Sequence, residues 1–276
     1  MKIASVALLG ALVLSAAAVA AEKPIRATEA YREAFGPPPV SEGQDCMAAV
    51  VYLPGIGASG SPTRLSPLPL FILTPEKAAE QAARVLVEGH PMTVRELAVP
   101  RLFPPNAKLR SFKASGGKAR VRVATGGAAP STALAYPALA YTLSQFGVKS
   151  VVLEVEGRRA VGPEGMAPAI VEPPPPVRLL DVVAPVHKGE KPAEIDVLFD
   201  RPVSMTNFSI RTAEGSEVPG TTYLSMFDMA VVFKPADPAV ILRDAPLSLS
   251  WALQDKTGKP ATGSRSMKVR IQEHTD

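Results

Sequence analysis

The sequence predicts two folded parts: an α+β domain, in which a mixed sheet carries two helices packed on one face, followed by an all-β sandwich. Three observations carry this expectation. Residues 108–156 read as strand, Gly-Gly turn, strand, loop, helix and strand. Residues 177–276 show only the two-residue alternation of half-buried strands. Between them lies a stretch rich in Gly, Ala and Pro that ends in the run Pro173–Pro176.

The chain has 276 residues, 46% of them hydrophobic and 20% charged, enough apolar material for one large core or two ordinary ones. Its 29 prolines are about twice the usual share, which favours strands and loops over a helical bundle. Residues 1–21 read as an export signal: Lys2 supplies positive charge, Ile3 to Val19 is apolar, and Ala18-Val19-Ala20 is a small-residue cleavage site. Cleavage is the expected fate, and an uncleaved membrane anchor is the alternative. Either places the rest of the chain outside the cytoplasm, secreted or in the envelope. Cys46 is the sole cysteine, so no internal disulfide can form, and it is expected to be a buried thiol.

Residues 22–45 are expected to be a flexible tether. Ala27 to Phe35 can form a helical turn or two that stacks Tyr31 on Phe35, but Gly36-Pro37-Pro38-Pro39 stops it; a docking helix is the alternative. Met47 to Leu53 is a strand. Pro54 to Pro67 is a Gly-, Ser- and Pro-rich loop with one charge, Arg64, and Leu68 to Leu73 is a second strand. Thr74-Pro75-Glu76 opens a helix that buries Ala78, Ala82, Val85 and Leu86 and ends at Gly89. A Pro-broken connection leads into the hairpin.

In that hairpin Ala119, Val121 and Val123 alternate with Arg120 and Arg122, and Gly116-Gly117 supplies the positive φ of a tight turn. Leu109 and Phe112 stand three apart on the first strand, which predicts a bulge. The helix that follows aligns Tyr136, Leu139, Ala140, Leu143 and Phe146 and stops at Gly147. The last strand turns Val151, Leu153 and Val155 inward and Glu154 and Glu156 outward. With helices on one face only, Arg120, Arg122 and Glu154 share the open face. Lys108 and Arg110 join that side if the bulge permits.

The segments VLVEGHP, LFPPNAKLRSFKASGGKARVRV and ALAYPALAYTLSQFGVKSVVLEVEG resemble the GerMN domain of bacterial sporulation and spore germination proteins. The matching features are Gly89 to Pro91, Pro105, Gly116-Gly117, Phe146-Gly147 and Gly157. Pro137 within the long helix, and the basic pair Arg120 and Arg122, depart from the family's pattern. The resemblance spans residues 46–157. It implies an accessory of sporulation, germination or envelope assembly that acts through protein–protein contacts.

Residues 158–176 are expected to be a stiff proline-rich linker. In 177–276 the alternating sets are Ile195, Val197 and Phe199; Phe208 and Ile210; Leu247, Leu249, Trp251 and Leu253; and Met267, Val269 and Ile271. Turn signals at Asp200-Arg201-Pro202, Glu214-Gly215, Pro219-Gly220, Pro235 and Asp255–Gly258 separate them at sandwich spacing. The segments IDVLFDRPVS, AVVFKP and SLSWALQDKTG resemble the Ig-like domains of bacterial surface proteins. Val121 is expected in the hairpin's core and Trp251 in that of the sandwich.

No recognisable catalytic pattern is present. His90, His187 and His274 are scattered, with no metal-ligand spacing around them, and there is no G-x-S-x-G elbow. Gly55 to Gly60 lacks the Lys-Ser/Thr of a phosphate-binding loop, and Asp200 and Asp255 are read as turn residues rather than calcium ligands. The sequence therefore implies neither cofactor nor metal and no enzyme. The formal net charge of +4 is spread along the chain without aromatic interleaving, which argues against nucleic acid. Other envelope proteins are the expected partners and cell-wall polymer the alternative; a wall hydrolase is a third reading. The candidate contact residues are Arg120, Arg122, Lys108, Arg110 and Arg64.

Overall fold

The computed structural model describes residues 22–42, 45–55, 64–89, 100–130, 133–156, 158–161, 169–187, 190–225, 227–241 and 246–274. The expected export signal, residues 56–63 of the glycine-rich loop, His90 and Gly157 lie outside them.

The chain opens with strands β1 (Glu22–Pro24) and β2 (Arg26–Ala27), helix α1 (Glu29–Phe35) and strand β3 (Val40–Glu42). This corrects the expected tether. Thr28 caps the helix, its Oγ1 accepting from Tyr31 N at 3.2 Å, and Tyr31 and Phe35 are both buried. Strand β2 pairs parallel with the next strand, β4 (Met47–Pro54), so the segment is built into the fold.

Strand β5 (Arg64–Ile72) runs antiparallel to β4 and starts four residues before the expected Leu68. Thr74 does not cap the following helix directly. A 3-10 turn, Pro75–Lys77, intervenes, and α2 runs Ala78–Glu88 and ends at Gly89, whose φ of 82° only glycine adopts cheaply. The hairpin β6 (Lys108–Ser115) and β7 (Lys118–Ala124) turns on Gly116 and Gly117 at φ 56° and 74°. Its register slips between Leu109 and Ser111, so Leu109 and Phe112 both face the core. Helix α3 (Ala135–Ser144) starts only two residues before Pro137. The proline thus lies in the first turn, where its missing N–H costs nothing.

Strands β8 (Ser150–Val155), β9 (Arg158–Val161) and β10 (Ile170–Val171) complete the domain. They distribute over two mixed sheets rather than one, ordered β10-β5-β4-β2 and β6-β7-β8-β9. Helices α2 and α3 pack against both, and one core joins Val51, Leu65, Leu86, Val121, Leu139, Leu143 and Leu153. The expected linker is in part sheet: β9 pairs with β8, and β10 pairs with β5.

The second part is a sandwich. Strands β11 (Leu179–His187), β12 (Ile195–Phe199), β14 (Gly220–Ser225), β15 (Ala230–Pro235) and β18 (Arg270–His274) form one sheet, ordered β14-β15-β12-β11-β18. Strands β13 (Val203–Arg211), β16 (Leu247–Asp255) and β17 (Pro260–Met267) form the other. Ile195, Val197, Phe199, Ile210, Leu249 and Leu253 fill the core, as their alternation predicts. Two expectations change. The set Met267, Val269 and Ile271 is not one strand: β17 stops at Met267, β18 joins the opposite sheet, and Ile271 is exposed. Trp251 is half-buried, edge-on to Phe199 at 6.1 Å, and lies over Gly263, where a Cβ would come within 2.3 Å of its ring.

A third apolar cluster joins the two parts. Tyr31, Phe35 and Cys46 pack with Phe71 of β5 and with Phe227, from the turn between β14 and β15. Phe71 and Phe227 stack at 4.6 Å, and Phe227 and Asp228 both hold left-handed φ near 60° to place the ring there. The Phe35 ring covers the Arg201 guanidinium at 5.5 Å, and Arg201 is ion-paired with Asp200 at 2.9 Å with both side chains buried. Gly36 meets the backbone of the β16–β17 turn so closely that a Cβ would stand 2.6 Å from Lys256 O.

Candidate interaction face

Alternation on β7 sends Ala119, Val121 and Val123 into the core and leaves Lys118, Arg120 and Arg122 on the opposite face. Register extends that face to both neighbours. Lys113 stands opposite Arg120 and Ser111 opposite Arg122 on β6, while Val152 and Glu154 stand beside the same two arginines on β8. One ladder further, Arg159 of β9 is registered with Glu154. Among the described side chains the face thus carries Lys113, Lys118, Arg120 and Arg122 around one acid, Glu154, with a second, Glu156, at its end.

Glu154 bridges the two arginines, with Oε1 3.5 Å from Arg120 Nε and Oε2 2.5 Å from Arg122 Nε. Both guanidinium side chains stay more than half exposed (54% and 55%), whereas Glu154 is 20% exposed. Exposed pairs of this kind contribute under about 1 kcal/mol each, so the acid orders the arginines while leaving part of their capacity to bind.

The other three candidates go elsewhere. Lys108 is drawn to the outer edge of β6, 3.5 Å from Glu88 Oε2, while Glu88 Oε1 accepts the edge N–H of Leu109 at 3.1 Å. Arg110 is the bulge residue; it is exposed, and its charge acts on Glu156. Arg64 opens β5 and pairs with Glu172 at 3.0 Å. Arg120 and Arg122 are therefore together, and Lys108, Arg110 and Arg64 are not part of the same patch. Lys113 and Lys118 are the residues that sequence reasoning missed. The hairpin register fixed by Gly116-Gly117 was the signal that could have found them.

The end of the face is closed by Glu156. Its carboxylate accepts backbone N–H groups from Thr125 at 2.6 Å, Gly126 at 2.5 Å and Gly127. These donors, led by Gly126, with help from the Arg110 charge, hold its pKa below the usual glutamate range despite some desolvation. Elsewhere Asp255 behaves as a turn residue, its Oδ1 accepting from Thr257 N and Lys259 N at 2.9 and 3.0 Å. Asp200 does more than close its turn, because it neutralises the buried Arg201. Among the described residues no three His, Cys, Asp or Glu side chains gather as metal ligands, and no helix is long and apolar enough to cross a membrane.

The first domain is thus an α+β unit with two mixed sheets and one solvent-facing, mainly basic sheet face. Residues 50–161 match the family described as Germane, sporulation and spore germination, overlapping the GerMN resemblance over residues 50–157. Among solved structures, the first GerMN domain of the sporulation protein GerM from Bacillus subtilis is 17% identical, covering 45% of this chain and 96% of that one, at a TM-score of 0.32. The tandem GerMN domains of the same protein are 14% identical over 70% and 62% of the two chains, at 0.34. CopC from Methylosinus trichosporium OB3b is 15% identical over 36% and 99%, at 0.26. No curated protein matches the chain.

Proposed function

We propose that this is an exported, non-catalytic envelope protein, an accessory of sporulation, spore germination or envelope assembly that works by holding other proteins. The single observation that carries the reading is the sporulation and germination family match over residues 50–161. Two features agree with it. The N-terminal apolar stretch with its Ala18-Val19-Ala20 site reads as an export signal. The surface of the first domain offers an open charged sheet face, and among its described residues no three His, Cys, Asp or Glu side chains gather.

Cross-linking in intact cells tests the proposal. The expected result is a set of defined adducts with other envelope proteins, together with no retention on protein-free wall and no release of muropeptides from it. Retention on purified wall without protein adducts would move the protein to the wall-polymer class. Muropeptide release would make it a hydrolase and end the proposal.

A further inference from the structure

We infer that the open face of the sheet β6-β7-β8-β9 is a docking surface for an acidic polypeptide in extended conformation. The inference rests on the protein-holding function proposed above and names the partner's chemistry. Lys118, Arg120 and Arg122 occupy alternate positions of β7, so their backbone positions repeat at about 6.7 Å, the two-residue rise of a strand. Carboxylates at every second residue of an extended peptide repeat at the same interval. Lys113 extends the charge onto the neighbouring strand, about 4.8 Å away.

The face already holds a carboxylate in the required place. Glu154 reaches across from β8 and sets one oxygen toward each arginine, which shows what a partner's Glu or Asp would do there. The forked guanidinium suits a carboxylate, and half of each arginine side chain is still open to a second one. With four cations to two acids, Glu154 among them and Glu156 at the end of the face, the described side chains leave a net positive surface that Glu154 partly masks. A neutral sugar polymer would find no aromatic side chain among the described residues of this face to stack on.

Glu154 therefore acts as an internal competitor, and its removal gives a gain-of-binding test. The probe is a labelled synthetic peptide of alternating Glu and Thr, titrated against the whole chain by fluorescence anisotropy at low and at moderate salt. The wild-type protein should bind, and more weakly as salt rises. Glu154→Gln should tighten binding by about threefold or more, because one competing charge is lost and the net charge rises. Arg120→Gln with Arg122→Gln should weaken it by about tenfold. Arg64→Gln, on a different part of the surface, should leave it unchanged. Far-UV circular dichroism and melting curves confirm that each variant is folded.

Glu154→Gln binding no tighter than wild type, or Arg64→Gln weakening binding as much as the double variant, overturns the inference. So does binding of a polyphosphate chain or of anionic phosphatidylglycerol vesicles in preference to the peptide. In each of those cases defined protein adducts in cells would leave the proposed function standing on another surface. Peptide binding without any such adduct would instead count against the proposed function itself.

Discussion

Glu156 holds φ at 41°, in the left-handed region that a residue with a side chain enters only when its surroundings compensate. The compensation is its carboxylate, seated on the successive N–H groups of Thr125, Gly126 and Gly127. A carboxyl whose folded pKa is depressed lends stability above its unfolded value, 4.5 here, and loses that contribution as pH falls through the lower folded value. Glu156→Gln should therefore be less stable than wild type at neutral pH. The gap should narrow as melting is measured at successively lower pH below 4.5. A gap that stays constant with pH would show that the bonds matter and the charge does not. Sequence reasoning placed Glu156 correctly on the outward side of its strand but saw nothing of this seat. The two glycines that form it, Gly126 and Gly127, lie thirty residues upstream and read only as loop.

At the scale of elements, helix α3 shows why polar helix residues mislead. Its apolar face was legible from spacing alone, and Leu139, Ala140 and Leu143 are buried as expected. Thr142 and Gln145, on and just after it, fit no apolar stripe, yet they finish a sheet. Beyond Ala48 strand β4 has no strand neighbour on its outer side among the described residues, and α3 packs there. Gln145 donates to Val50 O at 2.6 Å and accepts from Val50 N at 2.9 Å, imitating a paired strand, while Thr142 Oγ1 accepts from Tyr52 N at 3.1 Å. The same Gln145 oxygen accepts the Thr28 hydroxyl at 2.8 Å, tying the cap of α1 to α3. Gln145→Ala should cost about 1–3 kcal/mol, the range for stranding partly buried backbone groups. Gln145→Glu should cost at least as much, since it keeps the size but offers no donor to Val50 O. Chemical denaturation of the two variants checks the order, and two wild-type curves would show that water replaces the side chain freely.

For the whole molecule the telling feature is the joint built on Tyr31, Phe35, Phe71 and Phe227. The Tyr31–Phe35 spacing was visible in the sequence, but nothing local showed what the pair would meet. Phe71 comes from β5 of the same domain, but Phe227 and Arg201 belong to the other, and pairing across such a distance leaves no periodic trace. The buried Arg201–Asp200 pair depends on this lid. An ion pair kept from water needs its surroundings closed, and breaking into it costs about 3–5 kcal/mol. The Tyr31 hydroxyl is also buried without a hydrogen-bond partner among the described residues, and desolvation, with the Asp228 charge, pushes its pKa up. Phe35→Ala should open a cavity over Arg201, with a loss of about 3–5 kcal/mol. In calorimetry the wild-type chain is expected to melt in one transition and the variant in two, as the domains uncouple. Two transitions in the wild type would mean that the joint couples nothing.

The same joint dictates an order of events. Its halves lie almost two hundred residues apart in the chain, so the ribosome does not deliver both at once. Loop-closure entropy makes such a long-range contact the slowest to form. Tyr31 and Phe35 emerge early and must wait, covered only on the side of Cys46 and Phe71, until the turn bearing Phe227 has been made and folded. Docking of the domains is then the final step of maturation, and during the interval before it the waiting aromatics are the part of the chain most exposed to misassembly.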